Sequence, residues 1–402
     1  MLFRLSACLN LCTHWLARSG DSEEMLQLLR MFRSALRQDV APAEDELPVE
    51  RGEAETGWLT EMERQTRQQN RNNLTRTAAY LDVYRRNPEL HWAFLAHMVS
   101  RNGGWNMTDL RGEWFQRLTD DRLVDAFFRF LEQANWLIFS DAYPQLLMYE
   151  WSKREGRDLS GYLGRFGVSR FMRVVWRWFW QHRNASVLTR ALIVNEQNFL
   201  ESRIMRNAHY RATVLRTAAY RIQSALDLTH IVFPFLQNGR VQLAGEVAHR
   251  FASLEDRIVT GQRLYQLLFS DHHRHRAFVR WANAVVHTGS RQDYGTHWFT
   301  TDQAVLRLDQ PYRPWWSENG MPRKLYSPRL VDAWPDVAHP AIRRVDWFRS
   351  LWQVLPLFGR IRPPLSPEAF TRAYVAGLRR VDQLVQWEGK ADALLTNQYT
   401  ER

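Results

Sequence analysis

Residues 74–104 read LTRTAAYLDVYRRNPELHWAFLAHMVSRNGG, and this stretch decides the fold class. Residues 74–86 carry apolar side chains at helical spacing. Asn87 and Pro88 then form a helix-start signal, a capping side chain followed by a residue suited to the first turn. The next run turns Leu90, Phe94, Leu95, Met98 and Val99 to one side. It predicts a second helix that stops at Gly103, because glycine readily takes the left-handed conformation that closes a helix.

Working outward, the same patterning predicts helices over about 108–117, 121–138, 144–153, 168–183, 186–206, 209–226, 253–269 and 273–287. Alternation of period two is scarce, so few strands are expected. The class is therefore all-α: a single large multi-helix domain over 58–390. Residues 1–57 read as a leader helix (21–37) and an acidic flexible linker (41–56), and residues 391–402 as a tail. Residues 290–345, rich in Pro, Trp and Tyr, read as a long irregular covering segment, and Ser366 with Pro367 opens a last helix over 366–388. The pentapeptide RTAAY at 76–80 recurs at 216–220, but the flanks do not match, so no duplication is inferred.

The chain carries a formal charge of +11, and all but three of its 54 basic residues are arginine. Arginine forks suit phosphate and carboxylate partners, while a GC-rich genome produces the same composition without a partner. Cys8 and Cys12 are the only cysteines, which excludes a disulfide framework or a cysteine zinc site in the body and fits a reducing cytoplasm. LSAC at 5–8 has the form of a lipoprotein cleavage box, but Arg4 leaves almost no apolar run ahead of it. No apolar run is long enough to span a membrane.

Candidate site residues gather where polar groups interrupt apolar helices. His97, Arg101, Asn102, Asn106 and Asp109 surround the expected junction at Gly103–Gly104, where the carbonyls of one helix end face the amides of the next, with Asn106 or Thr108 as its cap. Glu132, Asp141 and Tyr143 in LEQANWLIFSDAYPQLLMYE, and Glu196 and Glu201 in VNEQNFLESR, supply carboxylates that either pair with arginine or shift upward in pKa. His287, Asp293 and His297 follow a helix and join the site only if the fold brings them to His97.

Arg170, Arg173, Arg177 and Gln181 form a stripe beside Trp176, Trp178 and Trp180, readable as a solvent face, as inward ion pairs, or as contact with an anionic membrane surface. Glu246 and His249 have the spacing of two metal ligands on one helical face, but no second such pair exists, so no metal and no cofactor is expected. The phosphate-binding glycine loop, nucleophile elbow, zinc-protease helix and dinucleotide fingerprint are absent.

NRNNLTRTAAYLDVYRRNPELHWAFLAHMVSRNGGWNMTDLRGEW (70–114) resembles the uncharacterised YppC-like proteins of Bacillus, a domain of unknown function. FSDAYPQLLMYEWS (139–152), VNEQNFLESRI (194–204) and HTGSRQDY (287–294) share that likeness. The resemblance implies a cytosolic bacterial protein and brings no catalytic residue. The residues themselves point to a binding protein with a polar, Arg-lined cleft for an anionic ligand or macromolecule, nucleic acid included. An acid/base hydrolase using the same His and carboxylate groups, or a peripheral membrane protein, is the alternative.

Overall fold

The computed structural model describes residue 30 and residues 53–215, 230–248, 253–316, 322–340, 345–350, 353–354 and 363–400. Helix α1 spans Glu53–Gln69, so it begins inside the stretch read as acidic linker. Cys8, Cys12, most of the leader helix, the second RTAAY and His249 lie outside the described residues.

α2 (Asn73–Arg86) opens with reciprocal capping: Asn72 accepts from the Thr75 amide at 3.1 Å, and Thr75 Oγ1 accepts from the Asn72 amide at 3.2 Å. α3 starts at His91, with Asn87 closing α2 rather than capping its successor. It runs through both glycines to Asp109, contrary to the expected stop at Gly103. The reason is packing. A β-carbon on Gly104 would overlap Asn73 Oδ1 and His287 Nε2, so glycine is there for close approach, not for a turn. Asn106 and Thr108 are thus helix-interior residues and not caps, and Thr108 Oγ1 donates instead to the carbonyls of Trp105 and Gly289.

After the short α4 (Glu113–Leu118), α5 (Asp121–Glu155) joins the two helices expected at 121–138 and 144–153. Pro144 sits inside it; its missing N–H frees one carbonyl without ending the helix, because the neighbouring turns are buried against other helices. α6 (Arg170–His182) and α7 (Ala185–Leu200) follow, and α7 passes into a π-helical turn, Glu201–Met205.

A hairpin follows, in keeping with an all-α chain expected to hold few strands. β1 (His230–Gln237) pairs antiparallel with β2 (Arg240–Val247) across Asn238–Gly239, both at positive φ. That is the two-residue turn Asn-Gly favours, a signal present in the sequence. Glu246 therefore lies on a strand, which removes the helical spacing it was given with His249. α8 (Leu254–Phe269) and α9 (His272–Ala284) pack on the hairpin, and α9 is capped by Asp271. The covering segment contributes one two-residue parallel pairing, β3 (Phe299–Thr300) with β4 (Leu325–Tyr326), and the short α10 (Leu330–Ala333). α11 spans Pro367–Thr400, longer than expected, and lies along β2. The class is all-α with two small two-stranded sheets.

The core is apolar and aromatic, with Trp105, Trp178, Trp281 and Trp315 fully enclosed. Trp176 is buried too, and Trp180 partly, so the α6 stripe offers little aromatic surface for a bilayer or for stacked bases. Arg170 pairs with Asp346 and Arg177 faces outward. No helix among the described residues is long and apolar enough to cross a membrane.

The two adjacent glycines of α3 should separate in a thermal melt. Gly104→Ala is expected to cost about 1–3 kcal/mol through overlap with Asn73 and His287. Gly103→Ala, which meets only the Asn135 side chain at 3.2 Å, should cost less.

Candidate functional site

The inward face of α2 is polar. Asn73, Arg76, Thr77 and Tyr80 share one face by helical spacing, and all are buried. A buried polar group without a partner is costly, so Asn73, Arg76 and Thr77 fix what surrounds them.

Asn73 and Thr77 meet α3 at Ser100. Asn73 Nδ2 donates to the Ser100 carbonyl at 2.9 Å, and the Thr77 and Ser100 hydroxyls lie 2.6 Å apart. His97 Nδ1 is 2.8 Å from the Thr77 carbonyl and donates to it. That leaves Nε2 to accept from Arg101 Nε at 3.2 Å. Burial, then the Arg101 charge, push the His97 pKa well down, in keeping with a neutral ring.

The loop after α9 closes over this group. Asn73 Oδ1 lies 2.8 Å from His287 Nε2, and His287 Nδ1 lies 3.3 Å from Asp293 Oδ2. Asp293 also accepts from the Thr288 amide, the Thr288 hydroxyl and Trp105 Nε1, at 3.0, 2.6 and 3.2 Å. Burial opposes its charge, but the donors His287 and Thr288 outweigh it and hold the carboxyl low. Burial lowers the His287 pKa, with the Asp293 hydrogen bond working against it. The fold therefore joins His97, Arg101, His287 and Asp293 with Ser100, and adds Asn73 and Thr77, which the sequence pattern did not single out. The signal for Asn73 and Thr77 was the run of polar residues at helical spacing in 73–80.

Arg101 is unusual within this group. Its exposure is 2%, Nη2 donates to the Val285 carbonyl, and the guanidinium stands 4.5 Å from the Trp281 ring centre. Nη1 has no partner, and no carboxylate among the described residues lies within ion-pair distance. Arg76 and Arg257, also buried, are paired: Arg76 with Glu132, and Arg257 with Glu201 at 2.7 Å. Burial lowers the Arg101 pKa to about 10, opposed by the field of Asp293.

The other candidates fall into separate places. Glu132 is shared by Arg76 and by His339 of the covering segment, whose Nε2 is 3.2 Å away and whose ring stacks on Trp136. Asp109 receives Arg291 Nε at 2.7 and 2.8 Å. Arg291 also donates to Tyr294, to Tyr374 of α11 and, at 3.4 Å, to Asn106 Oδ1, tying α3, the covering segment and the last helix together. Asn102 Oδ1 accepts from the Val232 amide of β1 at 3.0 Å. Glu201 lies between Arg257 and Arg206.

Tyr143 stacks on Phe139, and burial raises its pKa to about 12. His297 is exposed, with its ring against Trp298, and does not join His97. Asp141 and Glu196 face each other in the core. Among the described residues no group of three His, Cys, Asp or Glu is placed to hold a metal ion.

Glu132→Gln leaves Arg76 buried with no negative partner and is expected to destabilise by about 3–5 kcal/mol. The double replacement Arg76→Met with Glu132→Leu should recover most of that loss in chemical denaturation.

A family model described as "Protein of unknown function (DUF2515)" matches residues 68–372, a span holding every polar group above except Tyr374. The uncharacterized protein YppC of Bacillus subtilis (strain 168) is 44% identical over 235 residues, covering 58% of this chain and 72% of that protein. No solved structure matches the chain.

Proposed function

Given that the chain belongs to the DUF2515 family of proteins of unknown function, we propose that it binds a small anionic ligand at Arg101, beneath the loop that follows α9. The observation that supports this most is the buried guanidinium with Nη1 unpartnered and no carboxylate in ion-pair contact. A buried cation is ordinarily paired, because its desolvation otherwise goes uncompensated. An anion on Nη1 would supply the missing charge, and a planar, forked donor suits carboxylate or phosphate oxygens. The hydroxyls of Ser100 and Thr77 and the ring of His287 belong to the same hydrogen-bonded group. Val285, whose carbonyl holds Arg101, precedes Val286, which is 81% exposed, so solvent begins one residue from that carbonyl.

A second reading, acid/base chemistry, draws on the 3.3 Å contact between His287 and Asp293. It is the weaker one: Nε2 of His287 is already engaged by Asn73, and Ser100 Oγ bonds to Asn73 and Thr77 rather than to the imidazole.

Thermal shift against inorganic phosphate, sulfate and a series of small carboxylates tests the binding reading. An anion at about 100 times its dissociation constant stabilises the folded chain by about 2.7 kcal/mol. At least one should raise the melting temperature of the wild type, with affinity at least about tenfold weaker in Arg101→Lys, which keeps the charge and loses the fork. Equal shifts in the two proteins, or none in either, would contradict the proposal.

A further inference from the structure

Asp141 on α5 and Glu196 on α7 are both buried, and one amide serves both. Asn195 Nδ2 donates to Asp141 Oδ2 at 2.7 Å and lies 3.2 Å from Glu196 Oε1. The orientation of that amide is fixed, because its oxygen accepts from Ser169 Oγ and from Trp347 Nε1, each at 2.8 Å. Gln145 is fixed in the same way. Trp176 Nε1 donates to its oxygen at 2.8 Å, and its Nε2 donates to Asp141 Oδ2 at 2.9 Å. Two indoles thus aim two amide N–H groups at one carboxylate. Donors so placed favour negative charge on Asp141 and repel a metal ion.

Glu196 has no such provision. Its Oε2 accepts from no donor, and among the described residues neither carboxyl forms an ion pair. Two carboxylates side by side in the core cannot both hold their charge. Among the described residues the surrounding charges and titratable groups are these. From α2 come Tyr80, whose hydroxyl is buried without a hydrogen-bond partner, and Arg76, which is committed to Glu132. Tyr143 is on α5 itself. Arg203 lies in the π-helical turn after α7, 3.7 Å from the Phe199 ring centre and donating to the Val345 carbonyl. Asp346 acts in turn on Arg203.

We propose that Asp141 and Glu196 form a buried proton-binding site, in which one proton on Glu196 is donated to the Asp141 carboxylate and retained through neutral pH. Burial, then the charge of Asp141, push Glu196 well above the carboxylate range, while burial raises Asp141 to about 6 against the pull of its amide donors. When base in the solvent removes that proton, two negative charges share one amide. The cation placed to answer them is Arg203, which both carboxyls favour against the burial that lowers its own pKa. The turn Glu201–Met205 that carries Arg203 is π-helical, an irregularity of the kind that gathers at functional positions. The site thus couples pH to the conformation of the chain leaving α7.

The folded chain holds this proton above the pH at which an unfolded glutamate has released it, near 4.5. The associated stability is complete below that pH and lost as pH rises through the folded value. Melting temperatures of wild type and Glu196→Gln, taken from about pH 5 to about pH 9, test this, because glutamine stands in for the protonated acid. The two should agree near pH 5, and the wild type should fall progressively below the variant as pH rises. Amide exchange over 201–205, compared at equal pH, should quicken in the wild type alone. Parallel melting curves would overturn the proposal. Should Glu196→Gln fail to fold, Asp141→Asn removes the second charge but keeps the titrating Glu196. Its melting temperature should then fall less with pH than that of the wild type, and an equal fall would overturn the proposal. In the wild type, a protonated-carboxyl infrared band should persist at about pH 7, and its absence would overturn the proposal independently of any variant. None of these readings involves Arg101, so the anion site and the proton site stand or fall separately.

Discussion

A helix at the centre of an apolar body that turns Asn73, Arg76, Thr77 and Tyr80 inward imposes a demand on everything packed against it. Leaving such groups unpaired out of water is costly, and of these four side chains only Tyr80 Oη and Arg76 Nε go without a partner. α3 meets the demand with Ser100 and the carbonyl-facing His97, α5 with Glu132, the covering segment with His339, and the loop after α9 with His287. The absence of a side chain at Gly104 lets Asn73 and His287 meet across α3. A polar core of this kind specifies its neighbours more narrowly than an apolar one, because a shifted helix would leave groups unpaired and not merely loosely packed.

Against that rule the exceptions acquire meaning. Arg76, Arg257 and Arg291 each face a carboxylate, whereas Arg101 faces a carbonyl, an imidazole and an indole. Asp141 is furnished with amide donors and Glu196, its neighbour, is left to hold a proton. Local arrangements that forgo stability in this way concentrate where a protein binds or responds to something. The two lie in different parts of the interior, one beneath the loop after α9 and one beside a π-helical turn.

The helical class was legible because amphipathic spacing in 74–99 and Ser366–Pro367 is local information. What failed was the reading of punctuation. Gly103–Gly104 and Pro144 look like helix ends in isolation, yet α3 and α5 run through them, because burial of the flanking turns outweighs local propensity. The hairpin at 230–247 was announced by Asn238–Gly239, but its strands lack clean alternation and β1 carries Pro234. Among site residues, the link between His97, Arg101, His287 and Asp293 depends on contacts between segments far apart in the chain, which no spacing rule reports. His297, chosen on the same grounds as His287, points elsewhere. Asn73, Arg76 and Tyr80 were passed over because a polar stripe on a helix ordinarily reads as its solvent face.

An electron-density map of the protein purified from its own host, inspected at Arg101 Nη1, bears most directly on the central claim. An anion-shaped feature within hydrogen-bond distance of Nη1, roughly 3 Å, is the expected result. A carboxylate or carbonyl of the chain itself on Nη1 would complete the pairing internally and contradict it.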